Sequence, residues 1–234
     1  QILKEELIPA MGCTEPIALA YAAAVARKTL GEMPDKVVVE ASGSIIKNVK
    51  SVIVPNTGHL KGINAAAAAG IVAGDPDKKL EVIATVSQEQ IRQMKQFMEE
   101  VPIQVVHMED GCTFDIIVTV FSGKSYAKVR IANFHTNIVL IEKNGEVLKS
   151  EAVSDDSEEG LTDRTLLDME HIWDFAMTAD IDDVKALLDQ QVAFNVAIAE
   201  EGIKNDYGAN IGKVLLDMDG NNVRVRAKAM AAAG

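Results

Sequence analysis

A turn that leads into a run of small residues constrains this chain more than any other stretch. Residues 11–16 read Met-Gly-Cys-Thr-Glu-Pro, and the alanine-rich residues 17–25 follow directly. Gly12 permits a sharp bend in the backbone, and Thr14 suits the N-cap position of a helix. Pro16 is tolerated in the first helical turn, where its missing N–H costs nothing. The pattern therefore predicts the amino end of a small-residue helix at this turn.

Cys13 lies at or just before that helix end, where the helix dipole favours a thiolate. Glu15 follows two residues later, and a catalytic site can use an activated cysteine beside a carboxylate. The alternative is a small buried thiol that packs the helix start, which is the commoner role of a lone cysteine. The spacing alone leaves both interpretations open.

Charge and composition exclude several classes of partner and location. The net charge of −12 disfavours binding to nucleic acid or to anionic membranes, because both are polyanions. No apolar run reaches the roughly 20 residues that a membrane-spanning helix needs. No targeting segment is visible, so the two cysteines indicate reduced thiols in the cytoplasm. The chain begins with Gln and ends in Ala-Ala-Ala-Gly, and we expect it to be truncated.

The hydrophobic pattern predicts an α+β fold: a layer of small-residue helices, an inserted α/β sandwich and an all-helical carboxyl-terminal part. Helices are expected over residues 2–10, 15–30, 62–73, 88–100, 165–179, 181–202, 207–218 and 223–233, with one or two helical turns over 45–49. Strands are expected over residues 36–41, 80–86, 103–107, 115–122, 126–134 and 138–143. The strands at 80–86 and 103–107 would form a β-α-β unit, and the last three an antiparallel meander.

Changes of pattern divide the chain into four predicted segments. These are residues 1–76, with helices and a strand around the cysteine turn; 77–150, the α+β sandwich; 151–163, an acidic linker; and 164–234, a helical region.

The loop after the first strand is a candidate anion site. Gly43 allows close approach of the backbone, and the amides that follow Ser42 can hold a carboxylate. Lys47 and Asn48 would add a charge and hydrogen-bond donors. The alternative is a simple strand-to-helix turn, which we would prefer on this loop alone.

A polar triplet, His135-Thr136-Asn137, interrupts two apolar runs. A lone histidine near a strand end is more often a hydrogen-bonded structural residue. The clustering of three polar side chains favours convergence on a polar site. Cys112, at a loop that enters a strand, is interpreted as a structural thiol.

Several stretches together resemble the L-cysteine desulfidase family, the group also called uncharacterised protein family 0597. Its members are related to the alpha chain of iron–sulfur-dependent L-serine dehydratases. The resembling stretches are residues 12–18, 41–49, 54–58, 135–138 and 201–212. The resemblance runs through essentially all of the chain, which is similar to the amino-terminal half to two-thirds of such proteins. It is most specific at the cysteine turn and at the Ser42–Asn48 loop.

The resemblance implies a lyase of amino-acid catabolism. Such an enzyme converts L-cysteine to pyruvate, sulfide and ammonia, or deaminates L-serine. Cys13 would remove the α-proton or contact the cofactor, and Glu15 would orient Cys13 or pair with the substrate ammonium. The expected substrate-binding residues are Thr14, Ser42, Gly43, Lys47, Asn48, His135, Thr136 and Asn137. The partner would be a small L-amino acid, and a homodimer is compatible with the sequence.

The resemblance also implies a [4Fe-4S] cluster in the full-length protein. Two cysteines are too few for such a cluster, which normally takes three or four thiolates. We therefore expect no metal ligands within this chain and place the cluster ligands beyond it. The competing interpretation is a non-catalytic amino-acid-binding or regulatory domain, in which the α+β part over residues 80–148 senses a ligand or mediates pairing.

Overall fold

Helices and one mixed sheet make up the fold, and the expected α+β class is confirmed. The computed structural model describes residues 1–10, 12–153, 162–207 and 209–234. The chain divides into two compact units. The first, the helical unit, comprises Gln1–Pro9 and Glu158–Gly234; the second, the sheet unit, comprises Ala10–Ser157.

The sheet unit contains four helices and six strands among its described residues. The helices are α2 (Thr14–Leu30), α3 (Gly43–Val49), α4 (Gly62–Ala73) and α5 (Gln88–Glu100). The strands are β1 (Lys36–Ser42), β2 (Ile103–Met108), β3 (Asp115–Ser122), β4 (Ser125–Ala132), β5 (Ile138–Lys143) and β6 (Glu146–Ser150). Gly31 ends α2 in the left-handed conformation (φ 92°), and Ser87 with Gln90 forms a capping box on α5.

The six strands form one sheet in the order β2-β1-β3-β4-β5-β6. β1 pairs in parallel with β2, with Val39 opposite Val105, and antiparallel with β3, with Val39 opposite Val118. The remaining neighbours are antiparallel and consecutive in the chain. Both partners of β1 therefore come from residues more than sixty positions later.

One face of the sheet packs on α2, and α2 packs in turn on α4. Alternate residues of β1, β3 and β4 on that face, such as Val39, Val118 and Val129, are fully buried. At Gly70 of α4, an added Cβ would lie 2.0 Å from the carbonyl oxygen of Ala20. The small residues of both helices are thus required by the close approach of the two backbones.

The strand expected over residues 80–86 is wrong. A 3₁₀ helix (Pro76–Glu81) and turns occupy this region. The Asn56 side-chain amide donates to the carbonyls of Ile83 (3.0 Å) and Ala84 (3.2 Å). A side chain therefore satisfies carbonyls that a neighbouring strand would otherwise pair with, and Ile83 is buried without sheet pairing.

Other elements differ from the expectation at their ends. The bounds of α4, α5, β3 and β5 are confirmed, whereas β4 ends at Ala132 and not at residue 134. β6 was not expected, because most of its side chains are exposed and give no apolar pattern. The predicted acidic linker falls mostly on residues 154–161, which lie outside the described residues.

The helical unit consists of α1 (Ile2–Glu6), α6 (Met169–Thr178), α7 (Ile181–Lys204), α8 (Ile211–Asp219) and α9 (Val223–Ala233). α1, α6 and α8 are shorter than expected. The Glu5 side chain accepts hydrogen bonds from the Thr162 hydroxyl (2.7 Å) and backbone amide, and forms an ion pair with Arg164 (2.9 Å). These contacts join the first helix to the chain before α6.

Candidate functional site

Several turns of the sheet unit meet at one end of the sheet. The end of β1, the start of β3 and the end of β4 lie there because Ala41 pairs with Ile116 and Asp115 with Ala132. The amino end of α2 joins them, since Glu15 of its first turn contacts Asn48 of α3. Most residues singled out in the sequence lie in these turns.

Cys13 is the N-cap residue of α2, and the helix begins at Thr14. The prediction that Thr14 caps the helix is therefore wrong by one residue. The exposed Cys13 makes no side-chain hydrogen bond to the amides of α2; its Sγ donates to Oε2 of Glu15 at 3.1 Å. The Glu15 carboxylate thus accepts the hydrogen bond of the Cys13 thiol.

The Cys13 thiol is harder to ionise than an ordinary cysteine, which corrects the expected thiolate. Partial desolvation of the sulfur raises its pKa, and the hydrogen bond to Glu15 and the charge of that carboxylate raise it further. The helix dipole was the basis of the expectation, but a negative charge lies closer to the sulfur. Cys13 therefore rests as a thiol at neutral pH.

Both carboxylate oxygens of Glu15 are hydrogen-bonded. Oε2 accepts from Cys13, and Oε1 accepts from the side-chain amide of Asn48 at 3.1 Å. Burial alone would raise the pKa of Glu15, but these hydrogen bonds, one from its own backbone and the charge of His135 lower it below its usual value. Glu15 is therefore an oriented, ionised acceptor.

His135 completes this group from the β4–β5 turn. Its ring lies against Phe114 with a centroid separation of 4.4 Å and an interplanar angle of 57°. Burial lowers the pKa of His135, and the nearby Glu15 partly opposes that shift. His135 is therefore neutral near pH 7 and can accept or donate a proton. We call Cys13, Glu15, Asn48 and His135 the cysteine cluster.

Ser42 uses its hydroxyl inside the fold. It caps α3 by accepting from the Ile45 amide (3.5 Å), and it donates to the carbonyl of Thr113 at 2.7 Å. Gly43 and Lys47 are exposed on α3, and an added Cβ at Gly43 would lie 3.1 Å from Nε2 of His107. Substrate binding by these three residues stays a prediction.

The other two members of the polar triplet are also partly buried. The Asn137 side-chain amide donates to the carbonyl of Ala132 (3.1 Å), whose own N–H donates to the Asn137 carbonyl. Asn137 therefore closes the turn that carries His135. Thr136 and Thr14 lie beside the cysteine cluster in the chain, and their role in binding stays a prediction.

Sequence reasoning missed Phe114, Asp115 and Arg130. Asp115 is fully buried, and Arg130 forms two hydrogen bonds with its carboxylate, at 2.9 Å and 2.6 Å. A weak signal was available: the hairpin turn at 122–125 places Arg130 diagonally across from Asp115 on the same face. The proximity of Phe114 to His135 depends on two loops and has no local signal.

The described residues do not fit an iron–sulfur cluster. Cys13 donates to Glu15, whereas the Cys112 thiol donates to the carbonyl of Phe114 at 2.9 Å. Within the described part of the chain, no group of three or more His, Cys, Asp or Glu side chains is placed to hold a metal ion. A cluster normally takes three or four thiolates, which the described residues do not supply.

Comparisons with known proteins show that the chain is similar to several proteins of one family. The chain is 56% identical over 233 residues to a UPF0597 protein of Desulfitobacterium hafniense, covering all of this chain and 54% of that protein. It is 46% identical to a UPF0597 protein of Lachnoclostridium phytofermentans and 43% identical to one of Fusobacterium nucleatum, each time over all of this chain and 56% of the relative. The chain thus spans about half the length of the curated relatives it matches.

No family model and no solved structure matches the chain. Among the helices within the described ranges, none combines the length and the apolar character needed to cross a membrane. The names of the relatives state a family and no activity.

Proposed function

The chain belongs to the UPF0597 family, and from that premise we propose that its protein is a lyase that eliminates sulfide from L-cysteine or water from L-serine. The observation that carries this proposal is the cysteine cluster: a thiol hydrogen-bonded to an oriented carboxylate, with a neutral histidine beside it. This arrangement supplies a group that can accept a substrate proton once ionised and a second proton relay at one end of the sheet. The resemblance stated above supplies the substrate class.

Cys13 would make the first proton transfer, and Glu15 would orient it. The Cys13 thiol first loses its proton to water, and the thiolate, directed by its contact with Glu15, then takes the α-proton of the substrate. The raised pKa of Cys13 helps here, because a thiol that is harder to ionise gives a thiolate that is a stronger base. His135, neutral and close to Glu15, can return a proton to the cluster.

Elimination then follows from the electron pair left on Cα. That pair forms the Cα=Cβ bond while the Cβ–S bond breaks, and the sulfur leaves as hydrosulfide. The aminoacrylate product tautomerises to an imine, and water hydrolyses the imine to pyruvate and ammonia. The balanced reaction is L-cysteine plus water to pyruvate, ammonia and hydrogen sulfide; L-serine would release water in place of hydrogen sulfide.

The remaining predicted residues would hold the substrate. In this proposal Lys47 and the amides after Gly43 bind the substrate carboxylate. Its other polar groups are bound by Thr14, Ser42, Asn48, Thr136 and Asn137. The resemblance also implies a [4Fe-4S] cluster, and this proposal assigns none of the described residues to it as ligands. Reduced thiols are consistent with a cytoplasmic enzyme, and a homodimer is retained as part of the proposal.

The test is an anaerobic assay of the protein expressed from its complete reading frame. Pyruvate and sulfide release is measured with L-cysteine and with L-serine, together with bound iron. We expect turnover of at least one amino acid and its loss in Cys13→Ala. The matched control, Ser125→Ala, also removes one side-chain heteroatom but lies at the opposite end of the sheet, and it should retain turnover. Wild-type-like turnover by Cys13→Ala would refute the role of Cys13.

A second function is favoured by a groove on the other face of the sheet. This groove, of about 340 Å³, is lined by Glu40 and Lys128 together with Val38, Val106, Thr119, Phe121 and Tyr126. A carboxylate and an ammonium suit the two charges of a free amino acid. Calorimetric titration of L-cysteine into Cys13→Ala decides this: binding that disappears in Glu40→Gln, in a protein without elimination activity, would favour an amino-acid-binding domain.

A further inference from the structure

We propose that the buried Asp115–Arg130 ion pair is the positioning element of the cysteine cluster. It holds the loop over residues 111–115, which in turn fixes the His135 ring and the end of β1. This inference rests on the proposed function for its catalytic consequence. Its structural content can be tested without turnover.

The ion pair is rigid and directional. Nε of Arg130 donates to Oδ1 of Asp115 at 2.9 Å, and an Nη donates to Oδ2 at 2.6 Å. The Asp115 side chain is fully buried, and 27% of the Arg130 side chain is exposed. A planar guanidinium that meets a carboxylate through two parallel hydrogen bonds fixes orientation as well as distance.

The loop before β3 is built around the same carboxylate. The backbone amide of Cys112 donates to Oδ2 of Asp115 at 3.3 Å. An added Cβ on Gly111 would lie 3.0 Å from that oxygen, so the loop backbone packs directly on the carboxylate. The position of Asp115 therefore sets the path of residues 111–114.

Three contacts connect that loop to the cluster. The carbonyl of Thr113 accepts the hydroxyl of Ser42, at the start of the helix that carries Asn48. The carbonyl of Phe114 accepts the Asn133 amide at 2.9 Å, and the Phe114 ring lies against His135. The loop thus contacts both segments that face Glu15.

Stability alone does not account for this arrangement. A buried ion pair is often no more stabilising than apolar residues of similar volume. Its specific advantage is geometry, because the two hydrogen bonds permit one relative placement of β3, β4 and the loop. A lysine at position 130 keeps the charge and loses that geometry.

The test compares Arg130→Lys with Arg92→Lys. Arg92 pairs with Glu89 on the surface of α5 and offers the same substitution away from the site. The complete protein is labelled at its histidine ring carbons, and the His135 titration is followed by NMR, with His135→Gln to assign the signal. The Phe114 ring packs against the His135 ring, and the Glu15 carboxylate is the charged group that acts on the pKa of His135.

In Arg130→Lys we expect the His135 midpoint to rise towards that of an ordinary histidine, because the loosened Phe114 no longer shields the ring. We expect kcat for elimination to fall roughly ten- to a hundredfold, with a smaller change in KM, as for a misplaced catalytic group. Arg92→Lys should change neither. Unchanged titration and kinetics in Arg130→Lys would overturn the inference.

Two further results separate the possible failures. If the wild-type protein shows no turnover, the proposed function fails, and the His135 midpoint alone decides the positioning role. If Arg130→Lys does not fold, Phe114→Leu keeps the ion pair and removes the ring. In Phe114→Leu, the same rise in the midpoint of the His135 titration supports the positioning of His135 through the Phe114 ring. An unchanged midpoint contradicts it.

Discussion

Cys13 differs from the usual cysteine at a helix start, because its nearest charge is negative. Glu15 accepts its hydrogen bond at 3.1 Å and is itself held by Asn48. The thiol therefore stays protonated at neutral pH. A residue of this kind is a weak nucleophile at rest and a strong base once ionised.

Removing the charge of Glu15 should make Cys13 more reactive. Glu15→Gln eliminates the carboxylate that raises the pKa of Cys13, so more thiolate is present at a given pH. We expect alkylation of Cys13 by iodoacetamide at pH 8 to accelerate roughly two- to tenfold, since one pKa unit is a tenfold change in thiolate. Peptide mass spectrometry measures the rate, with Cys112 as the internal control. An unchanged or slower rate would contradict the assigned contact.

Short-range contacts of the site were predictable, and long-range ones were not. Cys13 and Glu15 are two residues apart, at a helix start that the turn residues predict. The contact between Glu15 and Asn48 spans 33 residues, and that between Asp115 and Arg130 spans 15. The first contact depends on how α2 and α3 pack, which no local pattern specifies, and the second depends on the register of the β3–β4 hairpin.

At the scale of the elements, α2 and α4 approach each other closely at Gly70. Gly70→Ala would place a methyl group 2.0 Å from the Ala20 carbonyl oxygen, which is backbone and cannot rotate away. We expect a loss of about 1–3 kcal/mol in the free energy of unfolding, or more if the helices must separate. Urea unfolding of the chain measures this. Asn64→Ala, exposed on the same helix, is the control and should be neutral or slightly stabilising.

The attachment of α1 should depend on pH through Glu5. The hydrogen bond from the Thr162 hydroxyl, followed by those from the Thr162 amide, Gln1 and Arg164, lowers the pKa of Glu5 from 4.5 to about 2, against an opposing effect of burial. Because the folded-state pKa is depressed, its stabilisation is complete above pH 4.5 and is lost as the pH falls towards 2. Thr162→Val should therefore lower stability at pH 7, by an amount that shrinks in this acidic window.

Denaturation of the helical unit at several pH values measures that difference. Thr178→Val is the control, since the Thr178 hydroxyl donates to a backbone carbonyl and not to a carboxylate. Its effect should be the same at every pH. A Thr162→Val effect that is equally independent of pH would contradict the assigned role of Glu5.

α5 was predictable from its capping box and its clear periodicity, and α4 was predictable from its run of helix-forming alanines before Gly74. The region over residues 80–86 failed for a physical reason: a buried apolar run has no period that separates a strand from other structure. Its backbone partner is Asn56, a side chain from a distant turn. β6 was not predicted because it is an exposed edge strand, whose sequence carries no alternation of buried and exposed residues.

At the scale of the whole molecule, the two units differ in how far they bury their large apolar side chains. The sheet unit buries them in one core, whereas α6–α9 leave many large ones exposed, including Met169, Trp173 and Met218. Contiguous exposed apolar surface commonly marks an interaction site. The helical unit therefore exposes more large apolar side chains than the sheet unit does.

The only tryptophan of the chain reports on this surface. Trp173 is 67% exposed. In the 234-residue chain we expect its fluorescence to be quenched by acrylamide nearly as efficiently as that of a free tryptophan derivative. Strong protection in this chain would contradict the exposed placement of α6. Comparison with the complete protein then shows whether further residues cover the helix.

The position of β1 between β2 and β3 has a consequence for biosynthesis. A ribosome completes β1 long before either neighbour: 73 residues separate Ser42 from Asp115. At about 5–20 residues per second, the nascent strand waits roughly 4–15 s for its second neighbour. During that interval its Val-rich edges are open to chaperones and to other nascent chains, and the cysteine cluster cannot yet exist. Slowed translation between the two strands should therefore increase aggregation more than slowing elsewhere.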